Sequence, residues 1–232
     1  MAGTAQVHVA RLIIQGGHAA FDEAECRLVE TKRPLTLRDR VIIAIAHKML
    51  RTFEALVDDA ERQRAEAMHH LKTLCECYIY LFEALKDEDS AALVLGASLQ
   101  SRVEFWELNP GLVGLEEIED LRREARDLCG GRKLPRLRAL AERHSAELGQ
   151  WYKLVYRLAC EPAHVGDLDA FLPGPGIRGE AAGARQAVAA LEYGVRIALA
   201  AADVINTNEI GVQLDVASMR AALAAAKPTE NK

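Results

Sequence analysis

Four residues of this sequence are of types that move protons or hold anions: Lys72, Glu76, Arg157 and His164. Histidine is the side chain poised to exchange a proton near neutral pH. Arginine carries a permanent charge on a planar fork that grips phosphate or carboxylate at two points. A carboxylate next to either one can orient it. Lys72 and Glu76 are i and i+4, so on a helix they meet on one flank. Six residues separate Arg157 from His164 in Tyr156-Arg157-Leu158-Ala159-Cys160-Glu161-Pro162-Ala163-His164. Each has a plainer reading beside the chemical one. Lys72 and Glu76 are a surface ion pair, Arg157 pairs between helices, and His164 packs or caps a helix junction at Pro162.

Charge supplies a second feature. Between Asp120 and Arg143 stand eight basic residues, Arg122, Arg123, Arg126, Arg132, Lys133, Arg136, Arg138 and Arg143, against four acids, in a chain whose net charge is -5. The plain reading is a solvated helix-turn-helix. The functional one is an edge that contacts RNA phosphates, since sequence-blind binding rests on such clusters. No stacking aromatics accompany it. The acidic total argues against a protein that coats nucleic acid generally.

Other chemistries find no support. Glu76, His69, His70 and His164 are possible metal ligands, but adjacent histidines diverge on a helix, and no metal site is expected. There is no phosphate loop, dinucleotide fingerprint or nucleophile elbow, so no cofactor is expected. The five cysteines, Cys26, Cys75, Cys77, Cys129 and Cys160, show neither zinc spacing nor evident pairs, which with the absence of an export pattern suggests free thiols in a reducing cytoplasm. No apolar run reaches the roughly 20 residues needed to span a bilayer.

The elements that must position these residues read as helices nearly throughout. At 232 residues the chain can bury a sizeable core, and its alanine- and leucine-rich composition lacks the alternating β-branched runs of strands. The centre is the stretch Arg62 to Ala84. Met68, Leu71, Cys75, Tyr78, Ile79 and Phe82 form one apolar stripe, and Leu74, Leu81 and Leu85 give a second contact. A helix apolar on two sides belongs inside a bundle. Before it come a helix from Thr4 to about Glu30, with Gly16-Gly17 marking a kink or a close approach, and one opened by the Thr36/Asp39 capping box and running to about Ala60. After it, Asp87 to Ser90 caps a helix ended by Asn109-Pro110-Gly111. Glu116 to Leu128 is stopped by Gly130-Gly131, and a region from Pro135 to about Cys160 bends near Gly149. Phe171 to Gly183 reads as a mobile loop. An alanine-rich helix from about Ala184 to Ile205 follows, with Val188, Leu191, Val195 and Leu199 inward, and a last segment runs from Asp215 to Ala226. The expected architecture is one all-α domain of about six to eight helices: an N-terminal helix in 1–35, a core in 36–206 and a terminal segment in 207–232.

Here the motifs carry a resemblance. Ala67-x-x-x-Leu71-Lys72-x-x-x-Glu76, followed by Tyr156-Arg157-Leu158-x-Cys160-x-x-x-His164, resembles the uncharacterised prokaryotic domain-of-unknown-function family 5677 over roughly Thr36 to Asn206. Lys72 stands where that family has arginine and Cys160 where it has serine. The likeness implies an all-helical fold rather than an activity. More distantly, Arg157-(six residues)-His164 is similar to the motif of the HEPN ribonucleases, although Leu158 replaces a polar residue and Pro162 interrupts the helix. That likeness implies metal-independent RNA cleavage, as in a phage-defence or toxin system. Histidine would serve the 2′-hydroxyl, arginine the phosphate charge, and Glu76 would orient one of them. It also implies a homodimer. The alanines from Ala181 to Ala202 and Ala217 to Ala226 give separate grounds for pairing, unless they pack within their own bundle. The competing expectation is a non-catalytic module that binds a partner protein or small ligand, with Lys72, Glu76, Arg157 and His164 as a buried network.

Overall fold

The structure, a computed structural model, describes residues 3–31, 34–109, 111–160, 178–207 and 213–225. These residues form one all-α bundle. In chain order the helices are α1 (Gly3–Thr31), α2 (Leu37–Glu61), α3 (Ala67–Lys86), α4 (Glu88–Leu108), α5 (Leu115–Cys129), α6 (Leu137–His144) and α7 (Ala146–Trp151). A π-helical turn (Tyr152–Tyr156), α8 (Arg157–Cys160), α9 (Arg178–Asn206) and α10 (Val216–Ala225) follow. Eight of them have eight residues or more, within the expected number.

Helix α3 lies at the centre and packs against α2, α4, α6, the π turn, α8 and α9. Its periodicity explains this. Met68, Leu71, Leu74, Cys75, Tyr78, Ile79 and Leu81 are all buried, while Phe82 and Leu85 are partly so. Burial drives the Cys75 thiol up to about 12, with the neighbouring Glu76 charge adding to it, so this cysteine is a core residue rather than a nucleophile. The helix begins at Ala67 rather than Arg62 because Gln63 adopts a left-handed φ of 54° and reverses the chain.

The capping box is present in full: the Thr36 hydroxyl accepts from the Asp39 amide, and the Asp39 carboxylate accepts from the Thr36 amide. Asp87 caps α4 by accepting from the Ser90 amide at 2.6 Å. The Glu88 carboxylate accepts from the Leu37 amide at 2.8 Å, tying the start of α4 to the start of α2.

Glycines set the closest approaches. Helix α1 is unbroken through Gly16-Gly17, and a Cβ on Gly17 would lie 2.8 Å from Leu50, so the pair marks close packing. Gly194 lets α9 reach Leu56 and Phe53 of α2. The expected loop from Phe171 to Gly183 is helical from Arg178 onward. Gly183 faces the Gln63 carbonyl and Ala65, so it serves packing where the sequence suggested a breaker. Residues 171–177 lie outside the described residues.

Three further expectations change. The region from Pro135 to Cys160 is divided at Ser145, where the backbone is extended and the side-chain hydroxyl caps α7 by accepting from the Leu148 amide at 3.0 Å. Val188 faces outward at 39% exposure, because α9 turns Ala187, Ala190 and Leu191 to the core instead. The alanines that suggested a second chain are largely used within this one. Ala187, Ala190, Ala201 and Ala202 are buried in the bundle, while α10 leaves alanines such as Ala217 and Ala221 exposed.

Candidate functional site

Glu76 leaves α3 on the flank that receives the π turn and α8. Its Oε1 accepts a hydrogen bond from the Tyr156 hydroxyl at 3.0 Å. Tyr152 stacks on Tyr156 with ring centroids 4.9 Å apart. Burial pushes the Tyr156 phenol well above its ordinary range, and the charge and hydrogen bond of Glu76 push it further, so it stays protonated and donates. The π turn sets this geometry. The Arg157 amide reaches back to the Tyr152 carbonyl, five residues earlier, which rotates the following side chains relative to a continuous α-helix. Val155 and Ala159 are buried as a result, while Leu154 and Arg157 face solvent.

Among the described residues, no hydrogen bond or ion pair joins the sequence-derived site residues to one another. Glu76 meets the residue before Arg157, and no ion pair among the described residues joins Glu76 to Arg157. Lys72 is partly buried, and no ion pair links it to Glu76 either, despite the i,i+4 spacing. His164 lies outside the described residues.

The basic cluster is mostly paired. Arg122 bridges Glu107 and Glu119, and Arg123 pairs with Asp120. Arg132 lies 3.3 Å from Asp89, and Arg138 lies 3.1 Å from Glu142. Arg126, Lys133 and Arg136 are exposed without such a partner among the described residues. Arg126, Arg132 and Lys133 line an open groove of about 680 Å³ with Ala97, Gln100 and Leu134. The unpaired basic surface of this stretch is therefore narrower than its residue count suggests.

A second polar cluster escaped the sequence reading. Glu83 of α3 is 3% exposed. Its Oε2 accepts from Arg143 Nη2 at 2.6 Å and lies 2.8 Å from His144 Nε2 and 3.5 Å from Lys86 Nζ. Burial alone would raise the Glu83 carboxyl, but the Arg143 hydrogen bond and charge, Lys86 and His144 together hold it below the usual carboxylate range. Burial pushes His144 down, and although Glu83 opposes this, Lys86 and Arg143 repel a further positive charge. The result is an ionised carboxylate, two cations and a neutral imidazole that fasten the end of α6 to α3. One signal was available in the sequence. Glu83 is a lone acid in Leu81-Phe82-Glu83-Ala84-Leu85, and a carboxylate in apolar surroundings needs partners.

Among the described residues, no group of three or more His, Cys, Asp or Glu side chains is placed to hold a metal ion. No helix there is long and apolar enough to cross a membrane. Compared with protein-family models, curated proteins and solved structures, the chain matches none.

Proposed function

We propose that the chain is a metal-independent, HEPN-like endoribonuclease of a phage-defence or toxin system, with Arg157 and His164 as its working groups. The observation that carries this reading is the exposure of Arg157 on a helix held against the central α3. A guanidinium that only fixed the bundle would be buried and satisfied by carboxylates. An exposed one is open to a phosphate. The Glu76–Tyr156 bond supports the reading by fixing the turn that leads into Arg157. Lys72, one helical turn before Glu76, completes the set.

In this mechanism His164 takes the proton of a ribose 2′-hydroxyl as its oxygen attacks the adjacent phosphorus. The bond to the 5′-oxygen breaks, that oxygen gains a proton, and the products are a 2′,3′-cyclic phosphate and a 5′-hydroxyl. Arg157 offsets the charge growing on the phosphate. In this reading two chains pair so that their motifs share a cleft. The test is incubation of purified protein with mixed RNA beside a His164→Ala control. Cleavage by the parent and none by the variant is expected; RNA left intact by both overturns the reading.

A second reading, the non-catalytic binding module, draws on a different observation. The Glu76 carboxylate is already engaged by Tyr156 rather than by a catalytic partner. Intact RNA across pH and protein concentration would favour it.

A further inference from the structure

Helices α4 and α5 form an arm. Helix α5 packs chiefly on α4 and buries only Ile118 and Ala125 among its own side chains. Gly96 makes the pairing close, since a Cβ there would lie 2.6 Å from Cys129 Sγ and 3.1 Å from the Ala125 carbonyl. The far end of this arm is apolar and open. Phe105, Leu108, Leu112 and Leu115 are exposed by 56%, 82%, 67% and 83%. Single exposed apolar residues need no explanation, but four of them at one helix–turn–helix tip form a patch of the kind that marks an interface.

The surrounding charge indicates what would cover it. From Arg102 to Arg123 there are six carboxylates, Glu104, Glu107, Glu116, Glu117, Glu119 and Asp120, against three arginines. Those arginines are engaged locally. Arg102 lies over the Trp106 ring at 4.8 Å, Arg122 bridges Glu107 and Glu119, and Arg123 pairs with Asp120. An apolar tip in a stretch with this acidic excess repels nucleic acid and anionic membranes, and a second copy of the same tip would add like charge to like charge. It suits a segment with the opposite rim.

We infer that the α4–α5 tip is a docking surface for a partner protein that offers an amphipathic segment with leucine-type side chains flanked by lysine or arginine. Apolar contact on Leu108, Leu112 and Leu115 supplies the burial, and the acidic rim selects the partner's charge. This inference is independent of the nuclease reading, because it uses no residue of that site.

The probe is a leucine–lysine amphipathic peptide, with its leucine–glutamate counterpart as control. The 232-residue chain carries Trp151→Phe so that Trp106, next to Phe105 near the end of α4, reports binding by fluorescence. Saturable binding of the cationic peptide is expected, weakened by salt, with none of the acidic one. Leu108→Glu with Leu115→Glu should weaken it about tenfold or more, and Glu116→Lys with Glu117→Lys similarly, which corresponds to at least about 1.4 kcal/mol. These positions are solvent-facing, so the variants keep their helical circular dichroism. Equal affinity for parent and variants overturns the inference, since the peptide would then be binding elsewhere on the chain. So does light scattering that shows the chain pairing with itself through this tip, with the pair lost in Leu108→Glu.

Discussion

The Tyr156 hydroxyl donates to the Glu76 carboxylate at 3.0 Å, across 80 positions of sequence. It joins the π turn to the central helix at the point where the chain enters Arg157. Hydrogen bonds to charged groups contribute about 1.5–3 kcal/mol, and the partial exposure of Glu76 lets water replace some of this. Tyr156→Phe is therefore expected to cost about 1 kcal/mol. A double-mutant cycle with Glu76→Gln checks it by urea denaturation. Coupling below about 0.3 kcal/mol would mean that the bond does not hold the turn.

This bond also shows where the sequence stops being informative. The motif residues Glu76 and Tyr156 were both visible, but the contact expected for Glu76 was Arg157 or His164. A π turn shifts side-chain register, and nothing in Tyr152-Lys153-Leu154-Val155-Tyr156 announces one. The α3 stripe was legible because it repeats at helical spacing over five turns. Glu83 with Arg143 and His144 was not, because a pairing across sixty residues depends on how α6 docks rather than on any local pattern. The glycines lie between these cases. Each was visible, yet whether it breaks a helix or admits a neighbour depends on the partner helix.

Leu71 is fully buried at the centre of α3. Leu71→Ala should cost about 2–5 kcal/mol, depending on how far its surroundings collapse. An unchanged denaturation midpoint would show that α3 is not the centre of the core.

The Glu83 cluster gives a pH dependence with a definite sign. The folded-state value of His144 lies below its ordinary 6.5, so the unfolded chain binds the proton more readily and stability falls as pH drops through about 6.5. Glu83 is likewise depressed below 4.5, so its contribution is present above that value and is lost as pH falls further. Denaturation midpoints between pH 7.5 and 5.5 should decline in the parent and decline less in His144→Gln. Parallel slopes would exclude His144 as the source.

Gly96→Ala tests the arm. The added Cβ would meet Cys129 Sγ at 2.6 Å, the Ala125 carbonyl at 3.1 Å and Leu128 Cβ at 3.2 Å, and the backbone oxygen cannot rotate away as a side chain can. A loss of about 1–3 kcal/mol is expected, as for other overpacked sites. It should be local. Amide exchange should quicken along α5 while α3 stays protected. Uniform acceleration through both helices would mean that the arm and the bundle unfold as one unit.

The proposed chemistry makes its own demands on the products. If RNA's own 2′-hydroxyl is the nucleophile, cleavage leaves 2′,3′-cyclic phosphate ends, and if His164 and Arg157 supply the base and the cation, it persists in excess chelator. Arg157→Ala and His164→Ala should each lower the rate by about 10²–10⁴, the range for a group acting in acid–base or charge-stabilising steps. Arg157→Lys should recover only part of the loss, since an ammonium keeps the charge but not the two-point fork. Tyr156→Phe should act more mildly, because it loosens the approach to Arg157 without removing a reacting group. The ordering is the informative part. Equal losses in all four variants would point to a disturbed fold. Linear 3′-phosphates formed with no cyclic intermediate would exclude the 2′-hydroxyl mechanism, and activity abolished by chelator would exclude its metal-independent form, even if the RNA is cut.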